Sequence, residues 1–85
     1  MKNFNYKITD DLGIHARPAG LLVKEAGKYS SKIQLICGEK SVEAKKLLGV
    51  MGMGIKCKQT VTITAEGEDE AAAIEGMKAF FQENL

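Results

Sequence analysis

Two kinds of apolar pattern alternate along this chain, and together they restrict the fold. Phe4, Tyr6 and Ile8 show the first kind, because polar Asn5 and Lys7 separate them. A period of two predicts a strand that buries only one face. The strands predicted in this way are residues 2–9, residues 32–37, a short hairpin partner through Val42, and residues 60–64.

The second kind of pattern is a helical stripe. Ala19, Leu22, Val23 and Ala26 predict a helix over residues 16–28, and a later apolar stripe predicts a last helix from about residue 68 almost to the end. A short helix is expected over residues 45–51. The resulting order is β-α-β-β-α-β-α. Because the strands are apolar on one face, both long helices should pack on that face and leave the other to water.

Length, charge and cysteine content exclude several classes of protein. The chain has 85 residues, which predicts one domain spanning residues 1–85. Its net charge of +1 gives no general attraction to nucleic acid, and no apolar stretch is long enough for membrane insertion. No signal peptide is recognised. Cys37 and Cys57 form no CxxC, and we expect them to be reduced thiols in a cytoplasmic protein.

His15 is the only histidine, and it stands where the first loop gives way to the first long helix. Pro18 has no backbone N–H and suits a first helical turn, so the amides of Ala16 and Arg17 should be free beside the imidazole. A helix start binds anions, and the guanidinium fork of Arg17 matches phosphate oxygens. These residues predict a phosphohistidine site, with His15 as nucleophile and Ala16 and Arg17 as phosphate cradle. A plain surface histidine and a solvated arginine are the alternative.

Apolar residues on the predicted short helix form a second candidate site. A helix this short cannot bury every side, so we expect part of the cluster to be exposed as a docking patch, while at least some of its members complete the core. The cluster consists of Leu47, Leu48, Met51 and Met53. Nearby lysines either attract acidic partners or only solvate the helices. Glycines in the adjoining loops are either turn residues or leave room for a partner. The predicted docking residues are Gly20, Lys24, Leu47, Leu48, Met51 and Gly54.

Three other functions are weaker. Gly49-Val50-Met51-Gly52 spells the GxxG of KH domains, but no aromatic residue for base stacking lies near it, so we expect no nucleic-acid partner. One histidine and two distant cysteines make no metal-ligand set, and no cofactor is expected. A hydrolase would need a second acid or base beside His15, for which only Asp10 and Asp11 are available in that segment.

The segment from Gly13 to Ala19, together with residues 45–55, resembles the HPr family, the histidine-containing phosphocarriers of the bacterial phosphoenolpyruvate-dependent sugar phosphotransferase system. The resemblance spans the whole chain. It implies an α+β open-faced β-sandwich, with a four-stranded antiparallel sheet and three helices on one face. It also implies a stoichiometric carrier, a cytoplasmic phosphoprotein that is not itself an enzyme. Enzyme I would load the histidine, and EIIA domains of sugar permeases would unload it.

The same resemblance implies roles for individual residues. His15 matches the phosphorylated histidine, Arg17 matches the arginine that contacts its phosphoryl group, and the short-helix residues match the docking face for both partners. We expect a monomer. A purely regulatory relative is the alternative, which the presence of both His15 and Arg17 disfavours.

One position departs from the family pattern. Many members carry a serine for a regulatory kinase just before the apolar pair of the short helix, and this chain has Lys46 there. Regulation through that serine is therefore not expected, whereas the carrier role is unaffected.

Overall fold

The computed structural model describes residues 1–85 and contains the seven elements in the predicted order. The strands are β1 (Lys2–Lys7), β2 (Lys32–Cys37), β3 (Lys40–Glu43) and β4 (Thr60–Glu66). The helices are α1 (Ala16–Ala26), α2 (Leu47–Gly52) and α3 (Glu70–Asn84). None of these helices has the length and apolar character that crossing a membrane requires.

The four strands form one antiparallel sheet in the order β1-β4-β2-β3. The central strand β4 shows how the alternation becomes structure, because Val61, Ile63 and Ala65 are buried whereas Thr60 is exposed. The register sets Ile63 opposite Phe4 on β1 and opposite Leu35 on β2. One face of the sheet is therefore apolar, as the sequence predicts.

The helices cover that apolar face and close one hydrophobic core. Phe81 on α3 is fully buried, and its ring meets Phe4 and Tyr6 edge-on, with centroids 5.9 Å and 5.5 Å away. Leu22 on α1 and Val50 on α2 complete the same cluster. The fold is thus the expected α+β open-faced sandwich, with a four-stranded antiparallel sheet and three helices on one face.

Several predicted boundaries were wrong by a few residues. β1 ends at Lys7, because the Ile8 amide donates to Gln59 O (2.9 Å) and the Thr9 amide to the main-chain oxygen of Leu85 (2.5 Å). α1 ends at Ala26 instead of residue 28. α2 starts at Leu47, since Lys46 has extended backbone angles, φ −107° and ψ 105°.

Cys37 and Cys57 are both half-buried, and no disulfide joins them. The Cys57 thiol faces the carbonyl oxygen of Thr9, with sulfur and oxygen 3.8 Å apart.

Candidate phosphoryl-transfer site

His15 is the N-cap residue of α1, and its backbone is extended, with φ −104° and ψ −169°. Its carbonyl oxygen accepts the first helical hydrogen bond, from the Ala19 amide at 2.9 Å. The side chain is half-buried and does not cap the helix. The imidazole is thereby left accessible at the positive end of the helix dipole.

The first turn of α1 presents unbonded amides beside this imidazole. The N–H groups of Ala16 and Arg17 have no acceptor within the protein, and Pro18 has no N–H to offer. No acidic residue occupies this turn. The helix start therefore keeps its capacity to bind an anion.

Arg17 is exposed, and it takes part in none of the three ion pairs of the molecule. Its guanidinium thus has no internal carboxylate partner to compete with an incoming phosphate. Arg17 and His15 also border the same cavity, of about 240 Å³. The other residues around this cavity are Asp10, Pro18, Leu21, Glu83 and Asn84.

The loop before His15 is fixed at both ends by main-chain contacts. The amides of Thr9 and Asp10 donate to the Leu85 main-chain oxygen, and the Ile14 amide donates to Ile55 O at 3.0 Å. Gly13 has φ +67°, and a Cβ there would lie only 2.3 Å from Ile55 O. Glycine at this position therefore serves internal packing.

Glu83, Asn84 and the Leu85 main chain are neighbours of the site that sequence reasoning missed. They are far from residues 9–17 in sequence, and only the sheet order and the length of α3 bring them there. No local pattern in the chain signals this contact.

The predicted docking residues lie on α1, α2 and the loop after α2. Leu48 is 84% exposed, and Leu47 and Met51 are 42% and 41% exposed, whereas Met53 is buried. Gly54 is exposed with φ +62°, and a Cβ on Gly20 would have open space around it. The short helix therefore leaves most of its apolar residues outside the core.

The lysines around this surface differ in how they are bound. Lys28 pairs with Glu25 (2.9 Å), and that hydrogen bond raises the pKa of Lys28. Lys46 pairs with Glu43 (3.5 Å), and Lys45 donates to the carbonyl oxygen of Tyr29 (2.7 Å). Lys24 is exposed and has no such partner.

The first glycine of the GxxG has a structural explanation. Gly49 lies within α2, and a Cβ there would come within 2.3 Å of Val42 Cγ2 on β3. A larger residue there would force either the Val42 side chain or α2 to shift. In addition, no group of three or more potential ligands is placed to hold a metal ion.

The chain is similar to proteins of one known family. A family model described as the PTS HPr component phosphorylation site matches residues 2–83. The phosphocarrier protein HPr of Mycoplasma capricolum subsp. capricolum is 46% identical over 78 residues, which are 92% of this chain and 88% of that protein.

Solved structures extend the comparison. A mycoplasma histidine-containing phosphocarrier protein superposes with a TM-score of 0.94 at 43% identity, covering 96% of this chain and 93% of that one. The Bacillus subtilis catabolite repression protein Crh, described as a dimer with a swapped domain, gives a TM-score of 0.78 at 35% identity over 100% and 98% of the two chains. Because the family model covers residues 2–83 and the mycoplasma relatives are 43% to 46% identical, the chain belongs to the HPr family, the phosphocarrier proteins of the phosphotransferase system.

Proposed function

We propose that this protein accepts a phosphoryl group from phosphorylated enzyme I on His15 and passes it to EIIA domains of sugar permeases. It acts as a stoichiometric carrier, because each molecule holds one phosphoryl group and returns to its starting state after giving it away. The observation that carries the proposal is the accessible His15 imidazole at the start of α1, beside the unpaired Arg17. Membership of the HPr family supports it.

In the loading step, a ring nitrogen of His15 attacks the phosphorus carried by the donor. The new N–P bond forms while the bond between phosphorus and donor breaks, and the donor keeps that electron pair. Unloading repeats the same exchange with the acceptor as nucleophile. Proximity of the two reacting groups, and not a base that activates water, is what such a transfer requires.

Arg17 and the first amides of α1 stabilise the phosphoryl group. Its oxygens carry negative charge both during transfer and in the phosphohistidine. The free amides of Ala16 and Arg17 and the helix dipole offset that charge, and the guanidinium adds charge-assisted hydrogen bonds. Because these groups are already in place, little rearrangement is needed at the moment of transfer.

The exposed apolar residues of α2 form the docking face in this proposal, with Gly20, Lys24 and Gly54 beside them. Leu47, Leu48 and Met51 offer an apolar surface, and Met adapts well to different partners. Lys24 adds a positive charge that is not neutralised internally. One surface can therefore serve both a donor and an acceptor.

Further parts of the proposal concern the state of the protein. We place it in the cytoplasm, to which the two unbridged cysteines are suited. We take residues 1–85 as a single domain, supported by the one continuous hydrophobic core. We also expect a monomer, for which light scattering would give a mass of 9.2 kDa.

The experiment that tests the function is incubation with phosphoenolpyruvate and enzyme I, followed by intact mass measurement. We expect one added phosphoryl group, labile in acid and stable in base, as for a phosphoramidate. Addition of an EIIA domain should remove it. His15→Ala should take up none, and persistent labelling of that variant would refute the proposal.

A further inference from the structure

We infer that Leu12 is a specificity-determining contact for the proteins that exchange phosphoryl groups with His15. The inference rests on the proposed function and adds a residue to its recognition surface. The occupant we assign is a phosphoryl-exchange partner with an apolar recess beside its own reacting group.

Leu12 makes no contribution to the hydrophobic core. Its side chain is 71% exposed, and it belongs neither to the core cluster nor to the partly buried residues packed against it. A single exposed leucine is ordinary on a protein surface. Leu12 differs from such a residue because it lies close to His15 in sequence and because the backbone around it is held by hydrogen bonds.

The backbone on both sides of Leu12 is held in place. Its own amide donates to Asp10 Oδ1 (2.9 Å), and the Gly13 amide donates to Asp10 O (2.9 Å). Beyond it, Gly13 and Ile14 lie against Ile55. The leucine is therefore presented outwards by a fixed turn, so that little freedom is lost when a partner covers it.

The distance to His15 places Leu12 inside a transfer interface. Leu12 lies three residues before His15, and three residues of fully extended chain span at most about 11 Å. A partner must bring its reacting atom to within about 3.5 Å of the phosphorus, so its contact area surrounds His15. An area of about 600–800 Å² on each partner corresponds to a disc with a radius of about 14–16 Å, which is larger than that span.

The distribution of exposed apolar side chains supports the same conclusion. Of the six large exposed hydrophobic residues, only Met1 lies away from the His15 loop, α1 and α2. None lies on α3 or on the open face of the sheet. Leu12 thus adds, from the His15 loop, one more exposed apolar side chain to those that α1 and α2 carry.

The test compares Leu12→Ser with the conservative Leu12→Met. With enzyme I and an EIIA domain, we expect Leu12→Ser to raise the KM for the carrier about fivefold to tenfold for at least one of them, with little change in kcat. Leu12→Met should stay within about twofold of the parent. Thermal melting shows that both variants are folded.

Binding measured without transfer separates this inference from the proposed function. His15→Ala and His15→Ala/Leu12→Ser are titrated with both partners by calorimetry, and the double variant should bind at least one partner about fivefold to tenfold more weakly. Equal Kd values for both partners would overturn the inference and leave the carrier role standing. A parent that binds neither partner and takes up no phosphate would overturn both. A faster loss of phosphate from isolated phosphorylated Leu12→Ser, with unchanged KM values, would also overturn the inference, because Leu12 would then act on the free carrier.

Discussion

At the scale of single residues, the candidate site consists of groups that have no hydrogen-bond or ion-pair partner within the protein. Arg17 has no carboxylate partner, and the first two amides of α1 have no acceptor. Neither is needed to satisfy another buried group. Their removal should therefore affect the chemistry more than the stability.

Arg17→Ala should slow phosphoryl transfer far more than it lowers stability. A charge-assisted contact to phosphate is worth about 2 kcal/mol, or roughly thirtyfold in rate, whereas an exposed side chain outside the core changes the free energy of unfolding by about 0.5 kcal/mol or less. Transfer kinetics and thermal melting of the same preparation give both quantities. Arg17→Lys, which keeps the charge and loses the fork, should lie in between. Transfer at the parental rate by Arg17→Ala would remove Arg17 from the site.

Gly13→Ala should destabilise the protein by more than about 2 kcal/mol. A positive φ alone costs alanine about 1–2 kcal/mol, and the added Cβ would also collide with Ile55 O. Gly38→Ala is the matched control, because Gly38 has φ +62° but open space around its Cβ position. Chemical denaturation of both variants isolates the effect of the close approach. Equal losses of stability would contradict it.

Lys46 should prevent phosphorylation by an ATP-dependent HPr serine kinase at the start of α2. The residue has no hydroxyl, and its ammonium group pairs with Glu43. Lys46→Ser restores a hydroxyl at the same extended N-cap position and should create a target. Both proteins are offered to such a kinase with ATP and examined by mass spectrometry. Stoichiometric serine phosphorylation of the unmodified protein would contradict the prediction, and peptide mapping would identify the serine.

At the scale of the elements, α2 is a helix with little internal role. Val50 is its one buried residue, whereas Leu47, Leu48 and Met51 remain exposed. An apolar surface retained outside the core is typical of a binding site.

Met51→Glu or Leu47→Glu should weaken binding to both enzyme I and EIIA domains. A carboxylate buried without a partner at an apolar interface is strongly unfavourable. Ala79→Glu, at an exposed position of α3, adds the same charge away from the proposed face. Titration calorimetry should show weaker binding for the α2 variants only, with similar melting temperatures for all three. If the folded α2 variants bind both partners normally, the docking face lies elsewhere.

Asp69 joins two elements that are distant in sequence. Its carboxylate accepts hydrogen bonds from the Ser31 hydroxyl and from the amides of Ser30 and Ser31, which ties the loop after α1 to the start of α3. These hydrogen bonds lower the pKa of Asp69 from its ordinary value of 3.8, and the bond from the Ser31 hydroxyl has the largest effect.

The stabilisation by Asp69 should depend on pH in a defined direction. The pKa of Asp69 is lower in the folded protein than in the unfolded chain. The carboxylate therefore contributes its full stabilisation above pH 3.8, and this stabilisation is lost as the pH falls through the pKa of the folded state. Asp69→Asn should therefore melt at a lower temperature than the parent at pH 7, and the difference should shrink below pH 3.8. Glu68→Gln is the control for loss of a nearby charge. A difference that stays constant with pH would contradict the assignment.

The sequence was sufficient for the parts of the fold that depend on periodicity. Alternation predicted which face of β4 is buried, and the helical stripes predicted α1 and α3. It was insufficient where one long-range contact decides the outcome. Gly76 leaves space that the Tyr29 ring fills, and no local pattern in the sequence signals this contact. The same holds for Glu83 beside His15.

At the scale of the whole molecule, the surroundings of His15 come from three separated segments. Residues 9–17 provide the histidine, the arginine and the free amides, Ile55 supports the loop, and the end of α3 closes the cavity. The sheet order β1-β4-β2-β3 brings these segments together, because it pairs the first strand with the last.

This strand order has a consequence for the protein during its synthesis. β1 and the His15 segment are translated first, but the strand that pairs with β1 begins only at Thr60. Until the ribosome has released that strand and α3, the nascent chain contains the histidine without its supporting loop contacts. A growing polypeptide therefore carries His15 long before the loop contacts and the cavity on which the proposed phosphoryl transfer depends have formed.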